Sequence, residues 1–155
     1  MNEPSWENDF LAPHVALMLD SYRRWLGAEL ISREGTDGEV ALRLFEAEFA
    51  IISHDTAEDP VFNYGNRTTL DLFEMSWSEL TALPSQMSAE PVNRSERAHL
   101  MERVRANGYF DDYSGVRISS TGKRFYIDRA TVWNLVDADN RVQGQAAVFT
   151  DWEPV

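Results

Sequence analysis

Apolar positions between Leu11 and Leu26 fall on one stripe. Leu11, Val15, Met18, Tyr22 and Trp25 recur at steps of four, three, four and three, with Leu19 and Leu26 beside them. That period predicts an amphipathic helix. Gly27 is placed to cap its C-terminus, and Pro13 fits only its first turn. Asp9 or Asn8 is expected to cap its start. The polar stretch from Ser32 to Glu39, with two glycines, then marks a loop. The chain is accordingly read as an N-terminal helical extension, residues 1–38, followed by a domain over residues 39–155.

Beyond the loop, a helical stretch from about Gly38 to Ala47 leads into Phe49-Ala50-Ile51-Ile52, an apolar run of strand length. A second short strand is expected at Val61 to Tyr64. Three helix starts carry capping residues: Asn66 ahead of Arg67 to Phe73, Ser76 with Glu79, and Asn93 with Glu96 ahead of Arg94 to Asn107. The last third reads as strands. Tyr113 to Ser119 and Arg124 to Val136 flank a hairpin signal at Ser120-Thr121-Gly122-Lys123, and Gln143 to Trp152 follows the turn at Asp137 to Asn140. Strands at both ends with helices between them predict an α+β fold, its helices on one face of an antiparallel sheet. In the strand from Arg124, the series Phe125, Ile127, Arg129, Thr131, Trp133, Leu135 and the series Tyr126, Asp128, Ala130, Val132, Asn134, Val136 are both mixed. Alternation therefore leaves open which face turns inward.

Composition narrows the function classes. With 155 residues and 43% hydrophobic content the chain supports a core of its own. It has no cysteine, which removes disulfides, thiolate metal sites, cysteine nucleophiles and flavin–cysteinyl photochemistry. Fourteen basic residues against 26 acidic ones give a net charge of -12, a field that repels phosphate backbones, so no nucleic-acid partner is expected. No apolar run approaches the roughly 20 residues of a membrane span. The acidic start lacks the basic character of a targeting segment, so a cytoplasmic protein is expected.

The order of elements resembles a PAS domain. Phe62-Asn63-Tyr64-Gly65-Asn66 is similar to the PAS strand that ends in a helix-capping asparagine, and Asp137 to Gly144 is similar to the turn between the last two PAS strands. More specific stretches are His54-Asp55 with Asp59-Pro60-Val61-Phe62-Asn63-Tyr64, Leu72-Phe73-Glu74-Met75, and Pro84-Ser85 through Ser88-Ala89-Glu90-Pro91. They continue with Tyr113 to Ser120, Val132-Trp133-Asn134-Leu135 and Gly144-Gln145-Ala146-Ala147. Together, over about residues 40–152, they resemble the MEKHLA domain family, a PAS-related group. Its members include standalone bacterial proteins and the C-terminal domain of plant class III homeodomain–leucine zipper factors. The resemblance implies a PAS-like five-stranded antiparallel sheet with short helices on one face, and a role in sensing or protein interaction. A bacterial sensor of the standalone kind is expected.

Catalytic pairings are weak. His54-Asp55 with Glu58 and Asp59 has the look of a metal site but lacks companion histidines, and reads as a solvated turn. His99 sits where some PAS oxygen sensors bind haem, yet its helix is charged all round and it reads as a surface residue. Thr121-Gly122-Lys123 lacks the glycine-rich loop of a phosphate site. The cofactor is left unknown. A PAS-like cavity between helices and sheet is the stronger expectation, with a small-molecule ligand as partner. Its candidate residues are Tyr113 and Arg117, on one face of a strand, with Trp133, Asn134 and Gln145 on neighbouring strands and Tyr64 and Trp77 on the apolar wall. The expected function is a sensory or regulatory binding module without catalysis; the alternatives are an interaction domain with a filled core, or a small-molecule enzyme on this scaffold. The stripe on the N-terminal helix must be covered by its own sheet or by a second copy, and a homodimer through that helix is expected.

Overall fold

The computed structural model describes residues 1–90 and 94–155. A 3₁₀ helix at Trp6–Leu11 opens the chain. It is followed by α1 (Ala12–Leu26), α2 (Asp37–Phe45), β1 (Ala50–His54), β2 (Phe62–Gly65), α3 (Arg67–Phe73) and α4 (Trp77–Leu80). A 3₁₀ turn at Ser85–Ser88, α5 (Arg94–Asn107), β3 (Tyr109–Ile118), β4 (Arg124–Val136), β5 (Val142–Phe149) and β6 (Asp151–Pro154) complete it. The sheet order is β2-β1-β5-β4-β3, with every pairing antiparallel and β6 alongside the first half of β4. The strand expected from Gln143 to Trp152 thus divides at Thr150 into β5 and β6.

Local chemistry explains most of the boundaries. Ser76 with Glu79 forms the expected capping box of α4, and Thr36 with Glu39 forms one for α2. Asn66 caps α3 and does more: its Oδ1 accepts from Ile51 and Thr69 backbone N–H groups, and its Nδ2 donates to Leu44 and Phe49 carbonyls. One fully buried side chain therefore ties α2, β1 and α3 together. The expected Asn93–Glu96 box lies outside the described residues, because Asn93 does. The start of α1 differs from expectation. Neither Asn8 nor Asp9 caps it; Ser5 and Asn8 instead close a capping box on the preceding 3₁₀ helix, and the N-cap of α1 is Leu11 in the left-handed region.

The stripe on α1 is covered within the chain. Val15, Met18 and Leu19 are buried where α1 packs on β4 and α2, and the Trp133 indole N–H donates to the Met18 carbonyl at 3.1 Å. Ser21 both donates to the Val136 carbonyl and accepts from its N–H, while Trp25 Nε1 donates to the Asn134 carbonyl at 2.9 Å. Each buried aliphatic side chain here contributes roughly 1.5–3 kcal/mol. The helix expected to seek a second copy lies on its own sheet, and it shares one core with the rest of the domain.

A bulge in β4 accounts for its mixed pattern. Tyr113 pairs with Ala130 and Gly115 with Ile127, so β4 spends one more residue than β3 over this interval, and Arg129 has φ 53°. Phe125 and Ile127 therefore share a face with Ala130, Val132 and Asn134, whereas Trp133 and Leu135 face α1. The two faces of the sheet are thereby assigned: an outer face under α1, and an inner face toward α3, the Ser85–Ser88 turn and α5.

Candidate functional site in the inner-face cavity

Between the inner face and α5 lies a cavity of about 80 Å³. Its walls are mainly apolar: Ile52 from β1, Phe73 from α3, Leu100 from α5, Ile127 and Val132 from β4, and Ala147 and Phe149 from β5. Set into them are His54, Ser88, Arg97, Tyr113, Arg117 and Gln145.

The strand β3 delivers the first polar pair. Tyr113 and Arg117 stand on the same face, as their spacing predicts, and Arg117 Nη2 donates to the Tyr113 hydroxyl at 2.7 Å. The guanidinium also donates to the Val116 carbonyl at 2.9 Å and stacks over the Tyr113 ring. Gly115 between them is required by close approach: a Cβ there would lie 2.5 Å from the Tyr113 hydroxyl. Opposite, α5 presents Arg97, whose Nη2 donates to Ser85 Oγ. Burial first, and then the neighbouring Arg117 cation, push the Arg97 guanidinium down to about 10.

Asn134 and Gln145 are register partners on β4 and β5. Asn134 Nδ2 donates to the Val104 carbonyl of α5, and Gln145 Nε2 donates to both Asn134 Oδ1 and the Met101 carbonyl. These bonds fix the Gln145 amide with its Oε1 buried and without a hydrogen-bond partner among the described residues. His54 completes the ring of polar groups. Its Nδ1 donates to the Asp55 carbonyl, and burial holds the imidazole below the usual histidine range, so it is neutral at pH 7.

Tyr113, Arg117 and Gln145 thus line the cavity, and Asn134 stands directly behind Gln145. Trp133, Tyr64 and Trp77 do not line it. Trp133 is one residue out of phase with Val132 and Asn134, so it points to the outer face, where Tyr22 meets its ring edge-on. Tyr64 pairs with Ser53, the outward residue between Ile52 and His54, and lies between His14 and Trp77. The Trp77 indole N–H donates to the Met1 carbonyl. Three polar cavity residues escaped the sequence reading: Ser88 on the 3₁₀ turn, His54 and Arg97. His54 follows Ala50 and Ile52 on the inner face of β1. Arg97 precedes Leu100, Met101 and Val104 at three, four and seven residues, a helical stripe that the many charges of α5 obscure. His99 is exposed on α5 and lies outside the cavity. Among the described residues, no three histidine or acidic side chains converge as a metal site.

The fold has well-populated counterparts. The PAS domain of a protein from Colwellia psychrerythraea superposes with a TM-score of 0.63 at 13% identity, over 76% of this chain and 94% of that one. A PAS domain from a two-component sensor histidine kinase gives 0.56 at 18% identity, over 74% and 91%. These likenesses show a PAS fold. The MEKHLA domain model matches residues 12–154. The chain belongs to the MEKHLA domain family. Among curated proteins it is similar to the homeobox-leucine zipper protein HOX9 of Oryza sativa, 29% identical over 143 residues, 91% of this chain and 17% of the relative. It is also 28% identical over 136 residues to ATHB-14 of Arabidopsis thaliana, 85% of this chain and 16% of that protein. This MEKHLA domain therefore spans about a sixth of the length of these relatives. They are plant proteins, which conflicts with the bacterial origin expected from the sequence. Among the described residues, no helix is long and apolar enough to cross a membrane.

Proposed function

We propose that this MEKHLA domain is a sensory module that binds a small molecule in the inner-face cavity and relays its occupancy to a protein partner, without turnover. The observation that carries this reading is the cavity itself: apolar walls into which buried polar groups project with hydrogen-bonding capacity left over. Its occurrence as one segment of longer homeobox-leucine zipper proteins supports a regulatory rather than a self-sufficient role. The cavity hydroxyls favour binding over catalysis. Ser88 donates to the Ser85 carbonyl and Tyr113 accepts from Arg117, and among the described residues no histidine nitrogen bonds either hydroxyl. An interaction domain with a filled core is the weaker reading, because the inner face borders a cavity of about 80 Å³ with polar groups in its walls.

Native mass spectrometry of the gently purified chain tests the proposal. A bound mass that departs on denaturation, and that is lost when Ala147→Phe fills the cavity, is the expected result. A bare chain that no small molecule stabilises would overturn it.

A further inference from the structure

Arg97 and Arg117 are each 8% exposed, and both face the same small cavity. Among the described residues no carboxylate lies within 4.0 Å of either guanidinium, although every ion pair elsewhere in the domain engages exposed or half-buried side chains. Asp59, whose charge favours the Arg97 cation, is held by Gln86 at 3.0 Å and lies beyond that distance. Their protein partners are neutral: a serine hydroxyl for Arg97, and a phenol and a backbone carbonyl for Arg117. Two buried cations that face one space with no anion between them are costly, and a domain of net charge -12 has many carboxylates it could have placed there.

Resting on the ligand-binding reading above, we infer that the ligand is a compact organic acid whose carboxylate is held between Arg97 and Arg117. Guanidinium forks match a carboxylate in shape as well as charge. The rest of the ligand is apolar where it meets Phe73, Leu100, Ile127 and Val132. The unpartnered Gln145 Oε1 favours an acid that also carries a hydroxyl or N–H donor. A cavity of about 80 Å³ limits it to a small acid, not a long acyl chain.

The probes are glycolate, its neutral counterpart glycolamide, and inorganic phosphate, each titrated calorimetrically into the full chain and into Arg97→Met and Arg117→Met variants; glycolate is small enough for the cavity and carries a hydroxyl donor. Glycolate is expected to bind and glycolamide to bind about ten- to a hundredfold more weakly; either methionine variant loses glycolate by a similar factor. Methionine keeps the bulk of the side chain, and thermal unfolding without ligand confirms that each variant folds. If the arginines serve only structure, both variants melt lower and glycolate affinity is unchanged, which overturns the inference. Equal binding of glycolamide also overturns it, as does phosphate binding with the same arginine dependence while glycolate fails. The inference and its parent reading fail separately. A neutral molecule that co-purifies and still binds Arg97→Met sinks the acid and keeps the binding module, whereas a chain that neither carries nor accepts any ligand sinks both.

Discussion

The two faces of the sheet are built to opposite rules. On the outer face, α1 closes over Trp133, Leu135, Ile51 and Val148, and the indole N–H groups of Trp133 and Trp25 both find carbonyl partners. On the inner face the same strands border a cavity and, among the described residues, bury two guanidiniums with no carboxylate within 4.0 Å. A buried polar atom without a partner among the described residues occurs on each face, Gln145 Oε1 on the inner and the Tyr64 hydroxyl on the outer. Both faces belong to one β4, and the bulge at Arg129 keeps Phe125 and Ile127 on the inner face with Ala130 and Val132 while Trp133 and Leu135 turn to α1. Interiors are close-packed and their polar groups are satisfied unless function intervenes. The cavity with its two guanidiniums, rather than unmet hydrogen bonds alone, sets the inner face apart, and it is where the proposed ligand would bind.

The strongest challenge to that division is Trp133→Ala. Removing a fully buried indole from beneath α1 is expected to cost about 3–5 kcal/mol in urea unfolding while leaving ligand preference unchanged. A loss below about 1 kcal/mol would mean that the outer face is not a closed core.

Next in size is an effect of pH on the outer face. His14 on α1 bonds to Ser53 Oγ at 2.9 Å and packs against Tyr64, whose hydroxyl is buried and whose ionisation is pushed well above the usual tyrosine range by desolvation. Desolvation lowers His14 from 6.5 to about 4. The unfolded chain then binds the proton more readily than the folded one between those values. The stability this residue contributes is full above about pH 6.5, falls as pH drops, and is lost by about pH 4, a change of about 3 kcal/mol. Unfolding measured across this window should steepen for the native chain relative to His14→Gln. Identical slopes would contradict the assignment.

Gly115→Ala acts on the inner face with a smaller cost, about 1–3 kcal/mol, because its methyl meets the Tyr113 hydroxyl. Its sharper consequence is a displaced Arg117, read as weakened glycolate binding. Smallest in stability is Arg117→Met without ligand, expected within about 1 kcal/mol of the native chain in either direction. A buried cation without an anionic partner contributes little to folding, and its removal can even stabilise. A large destabilisation would place Arg117 with the structural residues.

Element order, most helix caps and the Tyr113–Arg117 pair were legible in the sequence because they depend on local spacing. Asn66 and Ser76 cap their helices as read, and strand periodicity alone puts Tyr113 above Arg117. What escaped depended on register. Trp133 is an aromatic residue beside Asn134, and only the bulge two turns of the pleat earlier decides that it faces α1. Tyr64 is similar, since the parity of a four-residue strand is set by its partner β1. Arg97 was hidden for another reason: charge normally marks a solvated helix face, and here it lies on the buried one. The stripe on α1 was visible, but whether its cover came from the same chain or a second copy was a question of tertiary packing.

The division of labour between the faces can be read in a single ¹H–¹⁵N spectrum. The side-chain Nε–Hε signals of Arg97 and Arg117 report the inner face, and the indole signals of Trp133 and Trp25 report the outer one, each assigned by substitution. On titration with glycolate, both arginine signals should shift to a saturable endpoint while both indoles stay in place. Indoles that move while the arginines do not, or a spectrum unchanged at saturating glycolate, would contradict the account.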